Sequence, residues 1–213
     1  MYKKPIDYSL YLVTDRALMS TSSIEECVEK ACVGGTTLVQ LREKHASYDE
    51  FLQLAKSVKA VTDAYNVGLI INDEPNIAAA IGATGVHVGQ DDMPVREVRN
   101  IVGEQAIIGV SASTLEEALQ AEKDGADYLG IGAMHFTPTK PEAHTTTKEE
   151  LAQILQAVNI PCVLIGGMNK NTIMEFAEFD VAGYAVVSAI VAAKDVKQAA
   201  KELREVIFRV RSK

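Results

Sequence analysis

The chain has 213 residues, 47% of them hydrophobic, and is therefore expected to bury one core and to form a single domain over residues 1–213. With 21 Lys and Arg against 29 Asp and Glu, the net charge is −8, which argues against a broad surface for nucleic acid or an anionic membrane. No apolar run reaches the roughly 18 to 20 residues that cross a bilayer. Three cysteines without CxxC spacing indicate reduced thiols, so a cytoplasmic protein is expected.

Short runs of apolar, often β-branched residues alternate with helix-like runs along the chain. Strands are predicted at 8–13, 36–41, 68–71, 85–88, 106–110, 128–131, 162–165 and 183–187. Helices are predicted at 24–33, 47–66, 75–81, 94–102, 114–123, 148–158, 171–179 and 196–210. Eight strand–helix pairs predict an α/β fold of the (β/α)₈ TIM-barrel type. An open doubly wound sheet is the alternative, but no strand is followed by G-x-G-x-x-G.

Carboxylates follow the third and fourth predicted strands and are expected to lie side by side at one edge of the barrel. Asp73 and Asp92 would repel each other and raise each other's pKa unless a cation lay between them. Oxygen ligands without a cluster of Cys or His suit Mg²⁺ better than Zn²⁺. Either residue alone could simply cap a helix. The two in succession, beside basic segments, predict a Mg²⁺ site.

Basic and hydroxyl-bearing residues follow the second and sixth strands, and they predict an anion site next to the metal. The two segments are Gln40-Leu41-Arg42-Glu43-Lys44 and Thr137-Pro138-Thr139-Lys140. Their charges and hydroxyl donors, together with Mg²⁺, suit a diphosphate. Glu43 is expected to orient the basic side chains.

A second phosphate pocket is predicted after strands seven and eight, where TIM barrels commonly bind phosphate. Gly166 and Gly167 would let the backbone approach the anion, although a plain turn is the simpler alternative. Ser188 could equally be only a helix cap. Among the histidines, His87 is expected to pack inside the barrel, and His135 is the one placed nearest a substrate.

Taken together, these segments resemble the thiamine phosphate synthase family. The similarity spans nearly the whole chain from Tyr11. Its motifs stand at seven of the eight strand ends in the family's order, at residues 40–44, 71–73, 85–92, 109–112, 137–140, 165–167 and 187–190. Coincidence would have to recur at each of these separate places.

The resemblance implies a transferase with two small-molecule substrates and Mg²⁺ as cofactor. The family condenses 4-amino-5-hydroxymethyl-2-methylpyrimidine diphosphate with hydroxyethylthiazole phosphate, and it releases diphosphate and thiamine monophosphate. Departure of diphosphate would leave a carbocation that the thiazole nitrogen captures. The oligomeric state is left open, with a homodimer among the alternatives.

Site residues carry over from the family by position. Those for the pyrimidine diphosphate are Gln40, Leu41, Arg42, Glu43, Lys44, Asn72, Ser111 and Lys140. Those for the thiazole phosphate are Thr137, Pro138, Thr139, Gly167, Val187 and Ser188. Asp73 and Asp92 would hold Mg²⁺, and the residues closest to the chemistry would be Lys140, Ser111 and Asp92.

The loop after strand six departs from the family pattern. Ala133 and Phe136 stand where the family commonly has proline, and His135 stands where an aromatic residue is common. Two rival functions share the barrel: a thiazole tautomerase, and a catalytically silent barrel that binds a phosphate ligand. The retained Asn72, with both metal carboxylates and Lys140, argues against the tautomerase.

Overall fold

The computed structural model describes residues 5–136 and 145–212, which form one closed barrel of eight parallel strands. The strands are β1 (Leu10–Val13), β2 (Leu38–Leu41), β3 (Gly68–Asn72), β4 (Gly85–Val88), β5 (Ile107–Ala112), β6 (Tyr128–Ile131), β7 (Cys162–Leu164) and β8 (Gly183–Val186). Consecutive strands pair in order, and β8 returns to pair with β1. The prediction of a TIM barrel is confirmed.

Helices cover the outside of the barrel between successive strands. They are α1 (Ile24–Val33), α2 (Tyr48–Ala64), α3 (Pro75–Ile81), α4 (Val95–Val102), α5 (Leu115–Asp124), α6 (Lys148–Ala157), α7 (Ser188–Val191) and α8 (Val196–Arg211), with a 3₁₀ helix at Thr172–Phe176. Helices α2, α5 and α6 begin at capping boxes, in which a Ser or Thr hydroxyl accepts from the amide of a Glu three residues later.

Two helical regions differ from the prediction. The helix predicted at 171–179 is a short 3₁₀ helix, because the Asn169 side chain accepts from the amides of Asn171 and Thr172 and holds a local turn. Helix α7 was not predicted, since four residues are too few to show a helical period.

Side chains alternate along each strand between two buried layers. Outward-facing residues pack against the helices, whereas inward-facing residues such as Tyr11, Tyr128, Val163 and Ala185 fill the barrel. Glycines make room inside the barrel for the largest of these groups. A Cβ atom on Gly109 would lie 2.1 Å from Cζ of Tyr128 and 2.4 Å from Nδ1 of His87.

Replacing Gly109 with Ala is expected to lower the free energy of unfolding by about 3 kcal/mol, the upper range for overpacking a core. The added methyl group would collide with ring atoms that neighbouring strands hold in place. Gly130→Ala is the matched control, because its Cβ would lie 3.1 Å from Cε1 of His87. Urea denaturation of both variants measures the difference. Equal stability of the two variants would contradict this account of the barrel interior.

The cysteines are buried and unpaired, as predicted. Cys27 and Cys32 lie on α1, Cys162 lies on β7, and all three are free thiols. Burial raises the pKa of Cys32 and of Cys162 to about 12. Across the described ranges, no helix combines the length and apolarity that a membrane crossing requires.

Candidate active site

A cavity of about 490 Å³ opens at the carboxyl ends of the strands, and every strand or the loop after it contributes to its wall. The predicted site residues that line it are Gln40, Arg42, Lys44, Asn72, Asp73, Asp92, Ser111, Gly167, Val187 and Ser188. The barrel topology therefore brings together residues that are far apart in the sequence. Thr137, Pro138, Thr139 and Lys140 lie outside the described residues.

The two predicted metal carboxylates lie together on one wall. Asp73 adopts a left-handed conformation with φ of 61°, and its amide donates to the carbonyl oxygen of His87 at 2.8 Å. Oδ2 of Asp92 accepts from the amide of Gly89 at 2.6 Å. Burial and the adjacent Asp92 carboxylate raise the pKa of Asp73 to about 6, while a hydrogen bond from Asn72 acts in the opposite direction. The pair thus carries a repulsion that a bound cation would relieve.

The donor set at this wall fits a hard cation. Within residues 5–136 and 145–212, no group of three or more His, Cys, Asp or Glu side chains is arranged to hold a metal. A closed zinc site would need such a group. Mg²⁺ typically uses one or two carboxylates and completes its shell with water and substrate phosphate. Asp73 and Asp92 are therefore suited to Mg²⁺ in the presence of a phosphorylated ligand.

The segment after β2 divides into residues that face the cavity and residues that support them. Arg42 and Lys44 line the cavity, and Nη1 of Arg42 lies 3.8 Å from Oδ2 of Asp15. Leu41 is fully buried in the outer layer, because it follows the inward-facing Gln40 on a strand. The side chain packs against the helices, and the predicted contact of Leu41 with substrate stays a prediction that its backbone would have to meet.

Glu43 forms an ion pair with a residue outside the predicted set. Its carboxylate accepts from Nε of Arg16 at 3.1 and 3.2 Å. The carboxylate is thus engaged by a basic residue of the β1–α1 loop, and the expectation that Glu43 orients Arg42 and Lys44 and binds substrate stays a prediction.

The glycine turn after β7 forms part of the opposite wall. Gly166 and Gly167 have φ of 94° and 68°, in the left-handed region that favours glycine. A Cβ on Gly166 would lie 2.6 Å from Cα of Ala133, and one on Gly167 would lie 2.7 Å from Cβ of His135. The carbonyl oxygen of Gly167 accepts from the Thr172 hydroxyl at 2.9 Å. The turn is thus fixed in place with its backbone towards the cavity.

His135 supports this turn from behind. Its Nε2 lies 3.4 Å from Oε2 of Glu175, and its ring meets that of Phe176 edge-on with centroids 5.8 Å apart. The residue predicted to be the histidine nearest substrate therefore packs between Gly167 and the 3₁₀ helix. Among the described residues, the histidine that lines the cavity is His87.

A chain of hydrogen bonds crosses the floor of the cavity between two predicted substrate residues. Nε2 of Gln40 donates to the Tyr11 hydroxyl at 2.9 Å, and the Tyr11 and Tyr128 hydroxyls lie 2.8 Å apart. The Tyr128 hydroxyl lies 2.9 Å from Nδ1 of His87, whose Nε2 lies 3.0 Å from Oγ of Ser111. Burial raises the pKa of both tyrosines, so both stay protonated at neutral pH.

The sequence reasoning did not identify either tyrosine as part of the site, although it placed His87 correctly inside the barrel. Tyr11 stands two residues before Val13, and Tyr128 stands two residues before Gly130, both of which line the cavity. Counting inward positions in steps of two from each strand end would have found them.

A TIM barrel with paired carboxylates and a facing glycine turn at the carboxyl ends of its strands has the arrangement of an enzyme for phosphorylated small molecules. Comparison with known proteins makes the class specific. The family described as thiamine monophosphate synthase matches residues 10–190 of the chain. The thiamine-phosphate synthase of Clostridium botulinum is 54% identical over 203 residues, covering 95% of each chain. That of Clostridium beijerinckii is 52% identical over 208 residues, covering 98% of this chain and 100% of the relative.

A solved structure gives the same result for the fold. The thiamine phosphate pyrophosphorylase from Pyrococcus furiosus superposes with a TM-score of 0.88 at 39% identity, over 96% of this chain and 97% of that one. The chain belongs to the thiamine monophosphate synthase family. The predictions of this family and of a transferase are confirmed.

Proposed function

We propose that the protein joins 4-amino-5-hydroxymethyl-2-methylpyrimidine diphosphate to hydroxyethylthiazole phosphate, giving thiamine monophosphate and diphosphate. The observation that carries this proposal is that the two sides of one cavity differ in their chemistry. A carboxylate pair suited to Mg²⁺ lies on one wall with Arg42, and a glycine turn lies on the other. Such a cavity suits one diphosphate and one monophosphate substrate.

The diphosphate side combines a metal with basic side chains. Asp73 and Asp92 would hold Mg²⁺, which when bound would neutralise the charge on the departing diphosphate. Arg42 and Lys44 line the same side and add positive charge for the phosphate oxygens. Lys140 is assigned to the leaving group from the family resemblance.

The reaction is a dissociative substitution at the methylene carbon of the pyrimidine. The bond between this carbon and the diphosphate oxygen breaks, and its electron pair leaves with diphosphate. The pyrimidine ring stabilises the resulting cation, and the lone pair of the thiazole nitrogen then forms the new carbon–nitrogen bond. Gln40, Asn72 and Ser111 would hold the pyrimidine. The Gly167 backbone, with Val187 and Ser188, would hold the thiazole phosphate in line for capture.

One assay tests the proposal against both rivals. The purified protein is incubated with the two substrates, with Mg²⁺ or with EDTA, and thiamine monophosphate and diphosphate are measured. We expect both products in equal amounts with Mg²⁺ and neither with EDTA. Isomerisation of the thiazole substrate that persists in EDTA would indicate a tautomerase. Binding of either substrate without release of diphosphate would indicate a silent binding protein.

A further inference from the structure

The hydrogen-bonded chain on the cavity floor is built into the barrel by the sequence of two strands. Gly109 on β5 and Gly130 on β6 leave the space that the rings of His87 and Tyr128 occupy. Tyr8 packs against the other side of Tyr128, with ring centroids 5.0 Å apart. The rings therefore have little freedom to turn, and the hydrogen bonds between them are fixed in geometry.

The amide of Gln40 determines which group donates and which accepts in each of these hydrogen bonds. Because Nε2 of Gln40 is a donor, the Tyr11 oxygen accepts, and the Tyr11 proton then needs an acceptor of its own. Tyr11 is 1% exposed. Among the described residues, the acceptor within reach of its hydroxyl proton is the Tyr128 oxygen, at 2.8 Å. Tyr128 accepts that proton and directs its own towards Nδ1 of His87.

The direction fixes the tautomer of His87. An imidazole that accepts at Nδ1 carries its proton on Nε2 when it is neutral. That N–H then donates to Oγ of Ser111, 3.0 Å away. The hydroxyl proton of Ser111 is consequently left for a group in the cavity. With the hydrogen bonds reversed, Ser111 would donate to His87, and the buried Tyr11 proton would have an acceptor at Gln40 only with the Gln40 amide turned by 180°.

We infer that Tyr11, Tyr128 and His87 are positioning residues: they hold Ser111 as a hydrogen-bond donor and Gln40 as an acceptor towards the bound heterocycle. One N–H of Gln40 donates to the Tyr11 hydroxyl, and the carbonyl oxygen of the same amide is available to accept from a ligand. A donor and an acceptor held in this way select a neutral ring that carries both a ring nitrogen and an amino group. This step rests on the proposed function, since an aminopyrimidine has both.

The tautomer can be tested without any turnover. Nitrogen-15 NMR of the ligand-free protein, at a pH where histidine is neutral, distinguishes a protonated Nε2 from a protonated Nδ1. The His87 signals are assigned by their loss in His87→Gln. We expect Nε2 to be protonated and Nδ1 to be unprotonated, with a mixture of both tautomers in Tyr128→Phe. Protonated Nδ1 in the unmodified protein, or a tautomer that Tyr128→Phe leaves unchanged, would overturn the inference.

Kinetics test the consequence for substrate. Tyr128→Phe removes one hydroxyl and is expected to lower kcat/KM for the pyrimidine diphosphate about 10-fold, the scale of one buried hydrogen bond. KM for the thiazole phosphate should not change. Tyr184→Phe is the matched control, because Tyr184 is fully buried in the outer layer and its hydroxyl has no hydrogen-bond partner among the described residues. Its kinetics should equal those of the unmodified protein.

The outcomes separate this inference from the proposed function. Unchanged kinetics in Tyr128→Phe, or an equal loss in Tyr184→Phe, would overturn the positioning role. Thermal unfolding of each variant identifies a general loss of stability. If Tyr128→Phe shows such a loss, Tyr11→Phe interrupts the same series of hydrogen bonds at a second position. If the unmodified protein formed no thiamine monophosphate, the proposed function would fail, whereas the NMR measurement would still decide the direction of the chain.

Discussion

Asp92→Asn is expected to lower kcat by about 10³-fold while the barrel remains folded, because a metal at a leaving group contributes several kcal/mol. Asparagine retains an oxygen that can accept from the Gly89 amide, so the loop after β4 should keep its shape. The lost charge, however, halves the negative charge of the pair that would hold Mg²⁺. Asp73→Asn should have a similar effect on kcat, since the two carboxylates act on the same cation.

The measurement pairs turnover with metal binding. Steady-state rates are compared at increasing Mg²⁺, and binding of Mn²⁺ in the presence of diphosphate is followed by electron paramagnetic resonance. Asp63→Asn is the control, because Asp63 is exposed on α2 and pairs with Lys59 in a surface ion pair worth little. Near-normal turnover at saturating Mg²⁺ in both site variants would show that these carboxylates do not hold the metal.

Gly167→Asp is expected to raise KM for the thiazole phosphate by about 10²-fold or more, with a much smaller change for the pyrimidine diphosphate. A carboxylate at this position would place negative charge where the backbone should meet a phosphate, and like charges repel. The substitution also forces a non-glycine residue into φ of 68°, which costs about 1–2 kcal/mol.

Gly167→Ala separates the effect of the added charge on KM from the effect of backbone strain. It introduces the same Cβ beside His135 and the same left-handed strain, but no carboxylate. We expect it to raise KM for the thiazole phosphate by about 10-fold, consistent with the cost of strain alone. The idea of a separate monophosphate site fails if the two variants behave alike, or if both substrates are weakened equally in Gly167→Asp.

Much of the barrel could be predicted because local signals mark its elements. Strand β4 (Gly85–Val88) and helix α3 (Pro75–Ile81) have their predicted bounds, since Gly and Pro stand at their first residues. The predicted carboxylates also meet, because parallel strands end at the same face of the barrel. By contrast, the left-handed backbone conformation of Asp73 could not be predicted, because residues other than Gly adopt a positive φ uncommonly.

The tyrosine pair of the site shows where sequence reasoning stops. Tyr11 and Tyr128 are 117 residues apart, and their hydroxyls meet only because the barrel closes. Their inward direction follows from the period of two along a strand, whereas their hydrogen bond depends on the tilt and register of eight strands. Leu41 was predicted as part of a carried-over motif, and alternation along β2 turns its side chain away from the cavity.

The buried thiols give the barrel an intrinsic probe of its own opening. Cys27 and Cys32 lie on the buried face of α1 and Cys162 lies on β7, so they sample separate parts of the fold. A thiol reagent can reach them only when the surrounding packing opens, and burial, which raises the pKa of Cys32 and of Cys162, keeps both thiols protonated until then. The rate of labelling therefore reports local opening in each variant without a further mutation.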